Sequence, residues 1–305
     1  MGFESLPRSL TVRARLLLSL IAALLLAVGV AACGSEDDDG GGSSSAEATA
    51  TATAAADACT PDQLALVNAG QLTVGTDKPA YPPYFEDDDP SNGKGFESAV
   101  TYAIAEQLGF TEDAVKWTVV PFNASYAPGE KKFDFDINQI SITPKRAERV
   151  DFSDPYYTAP QAVVSLKSSP TADATSLSEL ADAKLGVQIG TTSLDAVNDL
   201  IKPSSQPQVF NDSNDTVRAL KTKRVDAIVV DLPTAFYLTA AEIPEAKITG
   251  QFAAPGGDNW GVVLGKDSEL TDCVNQAIGK LKDSGELQQI TDKWMGGQSG
   301  APELQ

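Results

Sequence analysis

From about residue 60 to residue 297, short apolar runs alternate with longer segments in which apolar residues recur every three or four positions. Short apolar runs are typical of buried strands, and a period of 3.6 residues is typical of amphipathic helices. The pattern predicts strands at Leu72–Thr76, Val115–Pro121, Phe135–Ile142, Gln161–Leu166, Lys184–Ile189, Val209–Phe210, Ala227–Val230 and Asn259–Leu264. It predicts helices at Asp62–Ala69, Ser98–Leu108, Gly190–Ile201, Ser213–Lys223, Pro233–Leu238, Asp267–Asp283 and Glu286–Met295. This alternation predicts the α/β class.

Residues 1–32 are predicted to be an export signal peptide. Arg8, Arg13 and Arg15 precede the apolar run Leu16–Val28, the order of charge and hydropathy that a secretory signal has. An uncleaved membrane anchor is the alternative, although the apolar stretch is at the lower length limit for a membrane span. The run ends in Val-Ala-Ala-Cys-Gly, which resembles the lipobox of bacterial lipoproteins. That resemblance implies lipidation of Cys33, a mature chain that starts there, and attachment to the cell membrane from outside the cytoplasm.

The segment 33–58 is predicted to be a lipidated Cys33 followed by a disordered tether. Gly, Ser, Ala, Thr and acidic residues dominate it, and such a composition cannot bury enough apolar surface to fold. Its acidic cluster, Glu36 to Asp39, favours a solvated spacer over a metal site. At the other end, residues 299–305 are predicted to be a loose tail.

Composition excludes several classes of function. The formal net charge of −19 argues against nucleic-acid binding, which needs basic patches. The chain has no histidine, and its cysteines, Cys33, Cys59 and Cys273, are too scattered for a zinc site. Serine–histidine and cysteine–histidine nucleophiles are therefore absent. We expect no metal and no cofactor.

The stretch Phe133–Tyr157 carries the strongest functional signal. Asn138, Gln139 and Ser141 interrupt a strand-like run, where buried polar groups would need polar partners. Thr143 is a suitable N-cap for a helix that starts at Pro144. Arg146 then falls in the first helical turn, where a cation opposes the helix dipole. A bound carboxylate would favour it there, because guanidinium grips carboxylates in a planar fork; a solvated surface arginine is the alternative.

This stretch resembles the central signature of the extracellular solute-binding proteins that supply polar amino acids to ABC importers. The matching residues are Asp134, Ser141-Ile142-Thr143, Arg146 and Phe152-Ser153-Asp154-Pro155-Tyr156-Tyr157. Further matches outside the stretch are Asp77, Tyr81 and Pro83-Tyr84, Gly95-Phe96-Glu97, Gly190-Thr191-Thr192 and Asp231. One extra residue separates Asp77 from Tyr81, and the segment after Phe122 departs from the family's usual helix.

The resemblance implies a two-lobed, periplasmic-binding-protein-like clamshell of type II with two hinge crossings. Lobe 1 would comprise residues 59–158 and 251–298, and lobe 2 residues 159–250. It implies capture of a polar amino acid outside the cytoplasm and delivery to an ABC permease by domain closure. We expect a binding protein that is not an enzyme and works as a monomer. A dehydratase-type enzyme on the same fold, with Asp77 or Glu97 as its acid–base group, and an extracytoplasmic sensor module are the alternatives.

The resemblance also implies the ligand-binding residues. They are Asp77, Tyr81, Phe122, Asn138, Gln139, Ser141, Arg146, Gly190, Thr191, Thr192 and Asp231. Arg146 would take the ligand's carboxylate, together with Ser141 and the backbone N–H groups near Thr192. Asp231, at the end of the apolar run Ala227–Val230, would accept the ammonium. For Asp231 and for the Gly-Thr-Thr turn, simple capping of the following helix is the alternative reading.

A disulfide between Cys59 and Cys273 is a further implication of the resemblance. The family architecture returns the late helix that carries Cys273 to lobe 1, where Cys59 begins the folded body, and export permits oxidation. Two unpaired buried thiols are the alternative.

Overall fold

The structure, a computed structural model, describes residues 59–254, 256–297 and 300–305. The predicted signal peptide, Cys33 and the tether to residue 58 lie outside these residues. Among the described residues, no helix has the length and apolar character needed to cross a membrane.

Twelve strands are present in the described residues. In chain order they are β1 Leu72–Thr76, β2 Val115–Val119, β3 Phe135–Asp136, β4 Asp151–Phe152, β5 Tyr157–Ala159, β6 Gln161–Leu166, β7 Leu185–Gln188, β8 Gln208–Phe210, β9 Ala227–Asp231, β10 Ala246–Phe252, β11 Asp258–Trp260 and β12 Val263–Leu264.

The described α-helices are α1 Phe96–Gln107, α2 Phe122–Ser125, α3 Pro144–Ala147, α4 Thr192–Ala196, α5 Ser213–Lys221, α6 Leu232–Tyr237, α7 Leu270–Asp283 and α8 Glu286–Met295. Helices α4 and α6 each continue into a π-helical turn, at Val197–Ile201 and Leu238–Glu242. Short 3₁₀ helices lie at Pro90–Asn92, Glu112–Ala114 and Leu177–Leu180.

The strands form two five-stranded sheets and a two-stranded ribbon. The first sheet has the order β2-β1-β3-β12-β4, and the second has the order β10-β6-β9-β7-β8. Strands β1, β2 and β3 run parallel to one another, as do β7, β8 and β9. Because the parallel strands of each set point in the same direction, their carboxyl ends lie at one edge of each sheet. The ribbon pairs β5 with β11 in antiparallel fashion, between the strands of the two sheets in the sequence.

Each sheet has its own apolar core. Helices α1, α7 and α8 pack with the first sheet, and fully buried Trp260 belongs to this cluster. Two further clusters, which include Leu220 and Val187, involve strands of the second sheet. Cys59 and Cys273 form a disulfide, with Cα atoms 5.4 Å apart, that attaches the start of the described chain to α7.

The segment Asp62–Ala69 corrects one prediction, because turns replace the expected helix. The backbone N–H of Val67 donates to Oδ1 of Asp134 at 2.7 Å, and Asn68 pairs with Gln71 in an isolated bridge. A side chain 67 residues away therefore takes a donor that a helix would use internally.

The C-terminal tail corrects a second prediction, because its last residues are packed rather than loose. Glu303 bridges to Gln251 of β10, and Leu304 is 7% exposed within the core of the second sheet. The backbone N–H of Leu177 donates to the carbonyl of Gln305 at 3.0 Å. Helix α8 belongs to the core of the first sheet, so the chain returns to the second sheet after α8.

Candidate functional site

A cavity of about 150 Å³ lies where the carboxyl ends of the parallel strands of the two sheets face each other. The segments after β1 and β3 line it from the first sheet, through residues such as Asp77 and Asn138. The segments after β7 and β8 and the end of β9 line it from the second sheet, through residues such as Thr192, Asp212 and Asp231. Ligands of open α/β sheets bind at such strand ends, so the position fits a ligand site.

Most of the residues expected at the site line this cavity. They are Asp77, Tyr81, Phe122, Asn138, Gln139, Ser141, Thr191, Thr192 and Asp231. The remaining two, Arg146 and Gly190, lie directly behind the lining. Nη1 of Arg146 donates to the carbonyl of Ser141 at 2.7 Å, and Nη2 donates to the carbonyl of Gly190 at 2.9 Å. The guanidinium therefore joins a segment of the first sheet to a segment of the second.

Arg146 is positioned by its short helix and by aromatic rings. Thr143 caps α3, accepting from the backbone N–H of Arg146 at 3.2 Å, as the sequence predicts. The guanidinium carbon lies 4.5 Å from the ring centroid of Tyr126 and 5.6 Å from that of Phe122, within the range of cation–π attraction. Arg146 is only 6% exposed, so it is not a solvated surface arginine. Burial lowers its pKa, whereas the negative charges of Asp195 and Asp231 act in the opposite direction.

The start of α4 faces Ser141 across the cavity. Thr191 is the N-cap, and its hydroxyl accepts from the backbone N–H of Leu194 at 3.2 Å. The hydroxyl of Thr192 lies 3.2 Å from that of Ser141. Capping and a ligand role are compatible here. The cap uses only one of the N–H groups that lack a partner at the start of a helix, so the others can bind a ligand. Gly190 has a φ of +77°, and a Cβ built on it would lie 2.2 Å from Oδ1 of Asn123. The glycine therefore permits close approach of the two segments.

Asp231 ends β9 and holds a half-buried carboxylate at the cavity. It occupies the N-cap position of α6, yet its side chain makes no capping hydrogen bond. Instead, Nε2 of Gln161 donates to Oδ1 of Asp231 at 2.6 Å and to Oδ2 of Asp258 at 2.7 Å. Burial, reinforced by the negative charge of Asp258, raises the pKa of Asp231 to about 7; the Gln161 hydrogen bond and the charge of Arg146 oppose this.

Glu97 does not line the cavity, but it holds the lining residue Gln139 in place. Its side chain is fully buried, and Oε1 accepts from the backbone N–H of Gln139 at 2.7 Å. The hydroxyl of Tyr156 and the side-chain amide of Gln139 also donate to this carboxyl group. Burial raises the pKa of Glu97 to about 7, although all three hydrogen bonds act to lower it. These bonds hold Gln139 at a φ of +49°, a conformation that non-glycine residues rarely adopt.

Asp77 is held by the backbone, which fixes its carboxylate at the cavity. Oδ1 accepts from the N–H of Lys78 at 2.7 Å, and Oδ2 accepts from the N–H of Phe122 at 3.2 Å. Burial raises the pKa of Asp77, and the neighbouring charge of Asp212 adds to the increase. Tyr81 lies nearby and reaches across the cavity, where its hydroxyl donates to Oδ1 of Asn214.

Several lining residues were missed by the sequence analysis. They include Gln188, Asp212, Asn214, Thr234, Tyr237 and Glu242. Asp212 and Asn214 follow β8, so the rule that ligands bind at carboxyl ends could have found them. Tyr237 and Glu242 lie on α6 and its π-helical continuation, and no local signal marks them.

Comparisons with known proteins agree with this architecture. The family described as bacterial extracellular solute-binding proteins, family 3, matches residues 72–297. The arginine-binding extracellular protein ArtP of Bacillus subtilis is 30% identical over 237 residues, which are 75% of this chain and 87% of that protein. The L-cystine-binding protein TcyJ of Escherichia coli is 29% identical over 231 residues, 74% of this chain and 83% of that protein.

A solved structure also shares the fold. It is the ancestral amino acid-binding protein AncCDT-1, described as a precursor of cyclohexadienyl dehydratase. It is 29% identical, with a TM-score of 0.62, over 74% of this chain and 95% of that one. The similarity supports the type II periplasmic-binding-protein clamshell expected from the sequence.

Proposed function

The chain belongs to the bacterial extracellular solute-binding proteins, family 3, and we propose that it captures a polar amino acid outside the cytoplasm and delivers it to an ABC permease. The observation that carries this proposal is the cavity between the two sheets, lined by polar and charged residues from both. A ligand that contacts both walls stabilises the closed arrangement and so couples binding to domain closure.

The two lobes follow from the sheets. The proposed lobe 1, residues 59–158 and 251–298, contains the strands of the first sheet, and the proposed lobe 2, residues 159–250, contains those of the second, except that β10 continues to Phe252. The ribbon of β5 and β11 lies where the chain passes between them, which makes it the hinge. Contacts such as Arg146 to Gly190 then join the lobes in the closed state.

The ligand's α-carboxylate and α-ammonium bind at different walls. The carboxylate is received by Arg146, Ser141 and the N-terminus of α4 at Thr192, where guanidinium, hydroxyl and helix dipole all favour an anion. The ammonium is received by Asp231, whose ionised form needs a cationic partner because it is half-buried. Tyr81, Phe122, Asn138 and Gln139 complete the wall of lobe 1, and Asp77 faces the side chain of the ligand.

Binding without catalysis is the role that the geometry favours over a dehydratase. Of the two candidate acid–base groups, Glu97 is fully buried beneath Gln139 and does not line the cavity. Asp77 does line it, but both of its oxygens accept backbone N–H groups. Such bonds favour a fixed, ionised carboxylate over one that exchanges protons with a substrate. Conversion of a cyclic dienyl acid by the purified protein would contradict this assignment.

The protein acts as a monomer, and a lipid on Cys33 anchors it to the cell membrane. Interaction with an ABC permease distinguishes a transport role from the role of an extracytoplasmic sensor. Mass spectrometry of membrane-extracted protein should find the lipid on Cys33, and Cys33→Ser should release the protein into the medium. An unmodified Cys33 thiol in the mature chain would overturn the lipid anchor.

Calorimetry and thermal shift against the common amino acids test the binding function. A true ligand at 100 times its dissociation constant should stabilise the protein by about 2.7 kcal/mol. Removing one charge of a buried pair costs roughly 2–5 kcal/mol of binding, so Arg146→Ala and Asp231→Asn should bind at least about 30-fold more weakly. The exposed Arg149, in the same segment as Arg146, provides the matched control Arg149→Ala. Near-wild-type affinity in both site variants would contradict the assigned site.

A further inference from the structure

The part of the cavity around Tyr81 carries an excess of negative charge from both sheets. Among the described residues that line the cavity, the acidic ones are Asp77, Asp212, Asp231 and Glu242, and Lys78 is the single cation. Nζ of Lys78 lies 3.3 Å from Oδ2 of Asp88, so an acidic neighbour already balances its charge. Asp231 is assigned to the ligand's ammonium and Glu242 lies 3.6 Å from Nζ of Lys221, so the proposed function gives Asp77 and Asp212 no cationic partner.

The side chains of Tyr81 and Tyr237 lie beside these carboxylates. Their ring centroids lie 6.2 Å apart, and the hydroxyl of Tyr237 donates to Oε1 of Glu242 at 2.9 Å. Burial, with the negative charges of Asp212 and Glu242, raises the pKa of Tyr81 to about 12. The hydroxyl of Tyr81 therefore stays neutral, and its ring and that of Tyr237 offer π faces beside three carboxylates. This combination suits a cation, which π faces and carboxylates both attract.

Two buried polar groups on the cavity wall indicate that the wall is built for a ligand. Asn138 is 8% exposed and Thr76 is 3% exposed, and both line the cavity. Within the described part of the chain, Nδ2 of Asn138 and Oγ1 of Thr76 have no hydrogen-bond partner. A buried donor without a partner is destabilising, and a polar ligand in the cavity would supply the missing acceptor.

Resting on the proposed function, we infer that Asp77, Asp212 and Glu242, with Tyr81 and Tyr237, form a subsite for a long cationic side chain. The guanidinium of arginine or the ε-ammonium of lysine is the chemistry that fits. Glutamate would place a carboxylate among three others, and glutamine would bring no positive charge to them. Cystine would bring its second carboxylate and its second ammonium together, and so no net counter-charge. Asp212 and Glu242 belong to the second sheet, so a cation held there and by Asp77 would bridge the lobes a second time.

The three carboxylates should contribute unequally because their exposure differs. Asp77 is half-buried, and a hydrogen bond from a charged donor to such a group contributes enough that its loss weakens binding about 10- to 100-fold. Asp212 is exposed, and solvent screening limits its effect to about two- to fivefold. Glu242 is half-buried and lies 3.6 Å from Nζ of Lys221, so Glu242→Gln also leaves Lys221 to repel a cation.

Isothermal titration calorimetry of the full-length mature protein at pH 8 tests the inference with L-arginine, L-lysine, L-glutamine, L-glutamate and L-cystine. Arginine or lysine should bind at least about tenfold more tightly than glutamine. Glu242→Gln and Asp212→Asn should lower that ratio, because each should reduce the affinity for arginine and lysine more than the affinity for glutamine. The matched control is Asp215→Asn, which removes the same charge from a side chain that pairs with Arg218 outside the cavity.

The outcomes separate this inference from the function on which it rests. Tighter binding of glutamine, glutamate or cystine than of arginine and lysine would overturn the cationic subsite and leave amino-acid capture intact. An unchanged ratio of arginine to glutamine affinity in both Glu242→Gln and Asp212→Asn would also overturn it. Heat from none of the amino acids, in a protein that melts cooperatively, would overturn both. A lower ratio in these variants but not in Asp215→Asn would support the subsite.

Discussion

Acidification from pH 8 to pH 5 should weaken amino-acid binding by about 100-fold, because it protonates Asp231. The chain contains no histidine, the side chain that ordinarily titrates in this range. Burial raises the pKa of Asp231 to about 7, and Asp258 reinforces the increase. Arg146 and Gln161 favour the ionised form but do not offset burial. Glu97, also with a pKa of about 7, is a second carboxyl that changes its charge there.

The magnitude follows from the competition between a proton and the ligand's ammonium for one carboxylate. If the ammonium requires ionised Asp231, affinity falls tenfold for each pH unit below the pKa, which means about 100-fold at pH 5. At pH 8 the carboxylate of Asp231 is mostly ionised, so the affinity for the ligand is close to its maximum. Binding at pH 6 should therefore release close to one proton for each ligand bound.

Calorimetry at pH 5, 6, 7 and 8, in pairs of buffers with different ionisation enthalpies, measures both quantities. Asp231→Asn should bind weakly at every pH and release no proton, because its side chain cannot ionise. Glu97→Gln keeps Asp231 and should retain most of the pH dependence, which separates the two carboxyls. A wild-type affinity that stays constant between pH 5 and pH 8 would refute the reasoning. So would an unchanged release of protons in Asp231→Asn.

Acidification should weaken ligand binding, but the protonation of Asp231 should stabilise the ligand-free fold. A carboxyl whose pKa is raised in the folded state binds its proton more tightly there than in the unfolded chain. Its contribution to stability is fully present below the unfolded pKa of about 3.8, and it is lost as the pH rises through about 7. For Asp231 the loss is on the order of 4 kcal/mol. Ligand-free Asp231→Asn should therefore melt at a higher temperature than the wild type at pH 8, with a smaller difference at pH 5.

Three further predictions concern other parts of the molecule. Replacing both Cys59 and Cys273 by Ser should lower the free energy of unfolding by about 2–4 kcal/mol, measured by urea denaturation, because the disulfide closes a loop of more than 200 residues; equal stability of the two forms would contradict this. Leu304→Ala should lower it by about 2–4 kcal/mol, since this tail side chain is buried in the core of the second sheet; an unchanged urea midpoint would instead favour a loose tail. Gly190→Ala should weaken ligand binding much more than Gly70→Ala, because both glycines have positive φ but only at Gly190 would a Cβ meet the opposite wall; equal calorimetric affinities would show that close approach there is not needed.

The hydrophobic pattern by itself determined much of the secondary structure and the site's general position. Apolar runs such as Ala227–Val229 are buried in the structure because strands covered on both faces need continuous apolar residues. The cap of Thr143 on α3 was also predictable, since it depends on residues three positions apart. Strand and helix ends alone marked Asp231, Arg146 and the turn 190–192 as candidate ligand contacts. The family-specific matches supplied the rest of that expectation.

Only the tertiary structure decided the contacts between distant parts of the chain. Glu97 holds Gln139 from 42 residues away, and no local pattern marks that partnership. The turn at Val67 replaces a helix because Asp134 accepts its N–H group. Glu242 lines the cavity through its place on the continuation of α6 beside Tyr237. The physical reason is that periodicity reports which residues are buried, whereas partners depend on chain closure between segments far apart in sequence. A pKa such as that of Asp231 is likewise set by those surroundings and has no counterpart in local sequence.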